Sequence, residues 1–285
     1  MLVMLNGKRV DPDEAQVSIF DRGFLFGDAI YEVVRTYGRT PVLLPEHLER
    51  LTRSGQAIDL DVGALRERIE REVSELIEAS PQDGELYIRI MLTRGSCHDM
   101  GLGTVEGEPT RIVWVKPLVA FPAEHYTQGI RLQAIPPDAI VARISPNVKS
   151  NNRQSNVMAY NAAQAAGFDD ALFVDPGGRV TEGPTWNAFF VLDETLVTPP
   201  LERGILEGIT RRKVLSLCED LGIPKAVREL DLAEAERASE AFITSTTRGI
   251  MPVGQLNQTR FSPVPGPLTA RLQQALLTRF EAAGS

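Results

Sequence analysis

The chain has 285 residues, of which 43% are hydrophobic and 24% are charged, and its formal net charge is −8. A length above the usual size of one hydrophobic core predicts two domains, and the ordinary composition excludes a largely disordered protein. The acidic balance, without any run of Lys and Arg, argues against a nucleic-acid-binding protein. The two cysteines and three histidines lack metal-ligand spacing, so neither a metal site nor a disulfide framework is predicted.

The sequence also bears on location. The apolar residues 1–5 are too short for the core of a signal peptide and have no basic residues before them. No later segment has the roughly 20 consecutive apolar residues that a membrane helix needs. We therefore expect a cytoplasmic protein, and the low cysteine content agrees with a reducing compartment.

The first half of the chain mixes short strands with helices. The predicted elements are, in order, a hairpin over 1–10, a strand over 29–37, a helix from Pro45, a helix over 63–79 and strands over 85–93 and 110–116. The Asn6-Gly7 pair is typical of a two-residue hairpin turn. Pro45 is expected in the first turn of its helix, where its missing N–H costs nothing. A Pro-containing stretch then predicts a domain boundary.

The second half has a similar mixture. Its predicted elements are a helix over 152–166, a strand over 170–174, a strand pair through Val191, a helix near 210–221, a strand over 240–244 and a helix near 267–282. Thr210 is expected as the N-cap of its helix and Gly222 as the glycine that ends it. Because helices and strands do not alternate strictly, the fold class is α+β. The predicted domains are 1–120 and 130–285, joined by a linker over 121–129.

Three segments of the second half carry residues suited to binding an amine and an anion. Lys149 stands at the end of an extended segment just before a predicted helix, although its position alone favours a solvated lysine. Residues 204–211 enter a helix through glycines, and such a helix N-terminus can bind phosphate. The hydroxyl run 244–247 follows a predicted buried strand and offers further donors. An ordinary N-capped helix and a self-satisfied turn explain the last two segments equally well.

The sequences of these segments, taken in their order along the chain, are a more specific signal of function than any one segment alone. Besides Lys149, the chain contains Thr-Glu-Gly-Pro-Thr-Trp-Asn-Ala-Phe at 181–189, Gly-Ile-Thr-Arg at 208–211, Asp-Arg-Gly-Phe at 21–24 and Glu-His-Leu-Glu-Arg at 46–50. With these motifs the sequence resembles the class IV aminotransferases, which use pyridoxal 5′-phosphate (PLP), over nearly its whole length. The resemblance implies fold type IV, with two α/β domains, the cofactor at the domain interface and PLP bound by the larger C-terminal domain.

The resemblance also implies roles for individual residues. Lys149 is expected to hold PLP as a Schiff base and, once the substrate amine releases it, to move the proton. Glu182 matches the carboxylate that pairs with the pyridine nitrogen and keeps it protonated. His47 is expected to pack or support a neighbour rather than catalyse. The implied phosphate-binding residues are Arg50, Ile209, Thr210, Thr246 and Thr247.

The substrate is less well defined, because marks of three subfamilies are mixed. Residues 31–37 resemble D-amino-acid aminotransferases, but Asp99 stands where their carboxylate-binding arginine is expected. Residues 100–103 resemble the corresponding loop of a branched-chain aminotransferase. The branched-chain pattern also has a tyrosine five residues after the lysine, and here Gln154 stands at that position. Asn152-Arg153 is similar to aminodeoxychorismate lyase. The first hypothesis is transamination between a branched-chain or other hydrophobic L-amino acid and a 2-oxo acid; D-amino acids or (R)-amines come second, and the lyase third.

The candidate substrate residues are Tyr31, Arg94 and Arg35, with the apolar Phe24, Phe26, Trp186 and Met251 near the predicted mouth of the site. A hypothesis of another class is a PLP-binding protein without turnover, which the presence of both Lys149 and Glu182 argues against. The resemblance further implies a homodimer in which a partner loop closes the site. The expected partners are a small-molecule amino donor and a 2-oxo acid, without nucleic acid or membrane.

Overall fold

The computed structural model describes residues 1–98, 108–136 and 148–284. The chain forms two compact units. The first consists of Met1–Val119, Val148–Asn152 and Phe280–Ser285, and the second of Ala120–Asn147 and Arg153–Arg279. The mixture of helices and sheets confirms the α+β class. Among the described residues, no helix combines the length and the apolar character needed to cross a membrane.

The first unit is built on an antiparallel sheet in the order β2–β1–β6–β5–β3–β4. Its elements are β1 (Leu2–Leu5), β2 (Lys8–Val10), α1 (Arg22–Leu25), β3 (Ala29–Tyr37), β4 (Thr40–Pro41), α2 (Leu44–Gln56), α3 (Arg66–Ala79), β5 (Leu86–Thr93) and β6 (Arg111–Pro117). The predicted hairpin is confirmed: Leu5 pairs with Lys8, and Asn6 and Gly7 have φ values of 50° and 81°. Two positive φ angles in succession are those of a type I′ turn, which matches the twist of the strands.

Helices α2 and α3 supply the core of the first unit. Leu48 and Leu51 of α2 and Ile69 and Val73 of α3 are at most 1% exposed and belong to one cluster with the sheet residues. Each such side chain contributes about 1.5–3 kcal/mol through burial. Helix α2 begins at Leu44, one residue before the predicted Pro45, so its start is confirmed. The core therefore fixes α2 beside β3, which is where the site residues of this unit lie.

The second unit is built on a mixed sheet in the order β11–β10–β9–β12–β13–β7–β8, with β14 paired to β13. Its elements are α4 (Ala123–Thr127), β7 (Ile130–Ile135), α5 (Gln154–Ala165), β8 (Asp170–Phe173), β9 (Asn187–Leu192), β10 (Thr195–Thr198), α6 (Ile209–Asp220), β11 (Lys225–Val227), α7 (Leu232–Glu236), β12 (Glu240–Ser245), β13 (Gly249–Leu256), β14 (Thr259–Arg260) and most of α8 (Pro267–Gly284). The rings of Phe189 and Phe242 stack 4.9 Å apart between β9 and β12. Most of the helices and strands predicted for this half are confirmed to within about two residues. The predicted strand pair through Val191 is the exception: it is the single strand β9, with isolated bridges at Val180 and Glu182.

The division of the chain differs from the expected one at the chain's C-terminal end, where Phe280–Ser285 belongs to the first unit, and in two internal segments. Residues 148–152 belong to the first unit, whereas the sequence placed them in the domain 130–285. They return because their backbone pairs with β3: Tyr31 N donates to Lys149 O at 3.0 Å and Asn151 N to Ala29 O at 2.9 Å. The expected linker 121–129 contains α4 and lies in the second unit. Composition can indicate a domain boundary. It does not indicate that residues 148–152 return to the first unit, because that return depends on their pairing with β3, which is distant in the sequence.

Candidate active site

Lys149 lies in the returning segment, alongside the start of β3. Its Nζ atom lies 4.4 Å from the centre of the Tyr31 ring, and its backbone N–H donates to Ser54 Oγ at 3.3 Å. A cation within about 6 Å of an aromatic face is attracted by the ring's negative face. The backbone pairing and the ring contact together give this half-buried amine a defined position in the first unit.

Arg50 lies in a buried triad with Glu32 of β3 and His47 of α2. It donates from Nε to Glu32 Oε1 and from Nη2 to Glu32 Oε2, both at 2.7 Å, and His47 Nδ1 lies 2.7 Å from Glu32 Oε2. The Glu32 side chain has no exposed surface. The Arg50 guanidinium is therefore held in one plane by a bidentate carboxylate.

The charges of the triad follow from its pKa values. Burial raises the pKa of Glu32, but the charge and hydrogen bond of Arg50, and then those of His47, outweigh burial, so this pKa lies well below its usual range. Burial lowers the pKa of His47, although Glu32 acts in the opposite direction. His47 is therefore neutral at pH 7. An ionised carboxylate can only accept, so His47 carries its proton on Nδ1 and donates it to Glu32.

We expect Glu32→Gln to lower the free energy of unfolding at pH 7 by about 3 kcal/mol, because it leaves a buried arginine without its counter-charge. The depressed folded-state pKa means that this stabilisation is complete above the usual glutamate pKa of 4.5 and is lost as the pH falls toward the folded-state value. In urea titrations, the difference between wild type and variant should shrink below about pH 4.5. A difference that grew on acidification would contradict this. Glu49→Gln, in an exposed pair with Arg53, is the control and should change stability by less than about 1 kcal/mol.

Glu182 is held by neutral donors in the second unit. Its Oε2 atom accepts from Asn187 Nδ2 and from the backbone N–H of Leu206, each at 3.0 Å. Asn187 Nδ2 also donates to Leu206 O at 2.9 Å, so the amide itself is fixed. These two neutral donors orient the carboxylate. A carboxylate held in one orientation fits the protonated ring nitrogen of PLP.

The start of α6 fits a phosphate. Helix α6 begins at Ile209, and in the part of the chain that the structure describes no side chain caps it. Its first N–H groups and the positive end of the helix dipole are thus available for an anion. Gly208 is required here, because a Cβ atom would lie 1.9 Å from Asn187 Oδ1. Thr210 was expected as the N-cap, which is wrong: Gly208 is the N-cap, and the glycine makes room for the amide that orients Glu182.

Thr246 and Thr247 lie in the turn between β12 and β13. The pairing of Ser245 with Gly249 leaves residues 246–248 in the turn. Both threonines are partly exposed, as phosphate donors must be. Their role, like those of Ile209 and Thr210, stays a prediction.

The two arginines expected to bind the substrate carboxylate are engaged elsewhere. Arg94 donates to Asp28 Oδ2 at 2.7 Å and to the carbonyls of Ile58 and Asp59. Arg35 pairs with Glu85 and lies over the Tyr37 ring. Asp28 and Glu85 thus balance the charges of Arg94 and Arg35.

The structure places Arg89 of β5 beside Lys149, which the sequence did not predict. Its guanidinium carbon lies 4.0 Å from the centre of the Tyr31 ring, the ring that also carries Lys149 Nζ. Its Nη2 atom donates to Asn151 Oδ1 at 3.4 Å. Buried and half-buried residues alternate along β5, and Arg89 lies on the half-buried face. The pairing of β5 with β3, however, joins residues far apart in the sequence, so no local pattern predicts it.

The remaining expected residues divide by exposure. Phe24 and Phe26 are 71% and 38% exposed, whereas Trp186 and Met251 are 3% and 1% exposed and belong to the core of the second unit. Neither of the latter two is therefore part of a mouth. Asp99 and residues 100–103, on which the choice among subfamilies partly depended, lie outside the described residues.

Comparison with known proteins decides the family. The family profile of amino-transferase class IV matches residues 29–256. The chain belongs to the class IV aminotransferases. It is therefore an enzyme of this PLP-dependent class, and PLP is its cofactor. The resemblance seen in the sequence motifs is confirmed.

Individual relatives have different activities. A D-alanine aminotransferase of Bacillus licheniformis is 35% identical over 281 residues, which cover 97% of this chain and 96% of the relative. The branched-chain aminotransferase of Thermoproteus uzoniensis, solved with norvaline, has a TM-score of 0.88 and 28% identity, covering 99% of this chain and 95% of that one. The 4-amino-4-deoxychorismate lyase of Pseudomonas aeruginosa has a TM-score of 0.83 and 32% identity, covering 98% and 100%. These likenesses confirm fold type IV.

Proposed function

We propose that this class IV aminotransferase transfers an amino group between a branched-chain or other hydrophobic L-amino acid and a 2-oxo acid. The observation that carries the transfer is the position of Lys149, whose amine is fixed by the Tyr31 ring and by backbone pairing with β3. The likeness to the Thermoproteus uzoniensis enzyme, at a TM-score of 0.88, supports the substrate class. The 35% identity to a D-alanine aminotransferase supports D-amino acids as the second candidate.

The chain's own groups have separate tasks in this reaction. PLP, when bound, supplies an electron sink for the electron pair left at the substrate Cα. Lys149 Nζ holds the cofactor and, after the substrate amine displaces it, accepts the Cα proton. Glu182, fixed by Asn187 and Leu206, keeps the ring nitrogen protonated and so preserves the sink.

Phosphate binding depends more on the backbone dipoles at the start of α6 than on the charge of Arg50. Arg50 is the expected phosphate arginine, but Glu32 balances its charge through a bidentate pair. We therefore assign Arg50 the role of an oriented donor. The amides of Ile209 and Thr210 at the uncapped start of α6 supply the favourable field.

For the substrate carboxylate we propose Arg89 in place of Arg94 and Arg35. Arg89 shares the Tyr31 ring with Lys149. By contrast, Arg35 is paired with Glu85, and Arg94 is bound to Asp28 and to two carbonyls. A guanidinium beside the reacting amine can bind an α-amino acid through its carboxylate while the amino group meets the cofactor.

The test follows the cofactor's absorbance while the purified holoenzyme is offered L-leucine, D-alanine and an (R)-amine separately. The proposal predicts conversion to the pyridoxamine form with L-leucine, reversed by 2-oxoglutarate. Conversion with D-alanine alone, or with the (R)-amine alone, would replace the proposed substrate by the second candidate. A PLP spectrum that none of the donors changes would favour the lyase or a protein without turnover.

The homodimer and the cytoplasmic location implied by the sequence stay proposals. A run of exposed large apolar side chains in the first unit supports the dimer: Val17, Ile19, Phe20, Phe24 and Phe26. Exposed apolar groups clustered in one segment are typical of surfaces that a partner covers. The mass in solution decides the first point, since a dimer has twice the 31.3 kDa of one chain.

A further inference from the structure

Arg248 is a largely buried arginine at the end of the turn that carries Thr246 and Thr247. Its side chain is 17% exposed. Nη1 donates to Thr185 Oγ1 at 2.7 Å, and Nη2 lies 3.4 Å from Asp170 Oδ2. The guanidinium also lies 4.9 Å from the centre of the Phe121 ring. A guanidinium is buried at a cost unless it is paired, so these contacts hold Arg248 where it is.

Asp170 of β8 is the acidic partner, and its side chain is 4% exposed. Its Oδ2 atom accepts from Trp186 Nε1 at 2.8 Å as well as lying beside Arg248, and Oδ1 accepts from the N–H of Ala171 at 2.9 Å. Burial raises the pKa of Asp170, while Arg248 acts in the opposite direction. One carboxylate oxygen thus connects the arginine of the turn to the indole of Trp186.

Trp186 and Thr185 belong to a tight loop that starts directly after Glu182. Gly183 N donates to Trp186 O at 2.9 Å and closes this loop. A Cβ atom on Gly183 would lie 2.0 Å from the Trp186 ring, so the indole packs directly on the backbone next to Glu182. Any displacement of Trp186 would therefore move the backbone that carries the Glu182 carboxylate.

We propose that Arg248 is a positioning residue: through Thr185 and Asp170 it fixes the turn of Thr246 and Thr247 relative to the loop after Glu182. The inference rests on the proposed function, which assigns the ring nitrogen of PLP to Glu182, and on the prediction that Thr246 and Thr247 of the turn help to bind its phosphate. The separation of the two groups must stay within a narrow range, because the pyridine ring of PLP is rigid and a short linkage joins its phosphate to the ring. The brace of Arg248, Asp170, Thr185 and Trp186 limits that separation.

The test measures the dissociation constant of PLP and the rate of the half-reaction for variants of the brace. Arg248→Gln and Asp170→Asn are each expected to weaken PLP binding by about 10-fold, as loss of one charge-assisted contact would. The double variant should weaken PLP binding little more than either single variant, because each single variant already removes the Arg248–Asp170 ion pair. The half-reaction with the best amino donor should slow in the same variants at saturating PLP.

Thr185 offers a variant that leaves the buried pair intact. Its side chain is exposed, so Thr185→Val should fold normally, lose the acceptor for Arg248 Nη1 and weaken PLP binding by about threefold. Thr185→Ser keeps the hydroxyl and should bind PLP like the wild type. Arg111→Gln is the structural control. It breaks a buried pair with Glu72 in the first unit and should lower the melting temperature while changing PLP affinity by less than about twofold.

Two results would overturn different claims. Unchanged PLP affinity and rate in both Arg248→Gln and Thr185→Val, with a wild type that binds PLP, would overturn the brace and leave the proposed function standing. Equal weakening by Arg111→Gln and Arg248→Gln would also overturn it, since the effect would then reflect stability alone. A wild type that binds no PLP would overturn the proposed function itself.

Discussion

Replacing Lys149 by alanine is expected to slow amino-group transfer by at least about 10⁴-fold, the upper range for loss of a positioned acid–base group. The loss is large because one amine has two tasks, holding the cofactor and moving the Cα proton. The measurement is the single-turnover rate with L-leucine at saturating PLP. The same variant should still bind PLP, more weakly and without a covalent link.

The control for this variant is Lys8→Ala, which removes an exposed lysine of β2 and should leave the rate unchanged. Added methylamine offers a second check, because a small amine can replace the missing proton carrier and restore part of the rate. A Lys149→Ala variant with a rate within about tenfold of the wild type would remove this residue from the reaction.

Replacing Glu182 by glutamine is expected to slow the half-reaction by about 10²-fold while PLP stays bound. The amide cannot stabilise a protonated ring nitrogen as a carboxylate does, so the electron sink is weaker. Shape is nearly conserved, and the remaining side-chain oxygen can still accept from Leu206 N. The measurement compares the rate and the PLP dissociation constant in one preparation.

A matched control is Glu194→Gln, in the exposed turn between β9 and β10, which should leave both quantities unchanged. Wild-type rates in Glu182→Gln would exclude Glu182 as the partner of the ring nitrogen. A variant that lost PLP altogether would instead assign Glu182 to cofactor retention.

Much of the fold was predictable because its signals are local. The Asn6-Gly7 pair requires two positive φ angles, and Gly222, at φ 63°, ends α6 as expected. The return of residues 148–152 to β3 was not predictable, because hydrogen bonds between residues more than 100 positions apart leave no periodic pattern. Gly208 shows the same limit: the sequence cannot show that Asn187 fills the space of its missing side chain.

Sequence motifs propose individual site residues, whereas the choice among similar side chains depends on geometry. Lys149 and Glu182 are proposed from their motifs, and their roles stay predictions. Arg89, which we propose for the substrate carboxylate, was not predicted, because several arginines are candidates for that role and only their partners distinguish them: Arg94 is bound to Asp28, whereas Arg89 lies over Tyr31. The pairing of Glu32 with Arg50 was equally hidden, because an acid in a strand is usually read as exposed.

The central claim is that Lys149 holds the cofactor of this enzyme, and borohydride reduction followed by peptide mapping tests it most directly. Reduction converts a lysine-bound PLP into a stable adduct that mass spectrometry can assign to one residue. We predict one phosphopyridoxyl group per chain, on the peptide that contains Lys149. An adduct on another lysine, or no adduct in a preparation that shows the PLP spectrum, would contradict the claim.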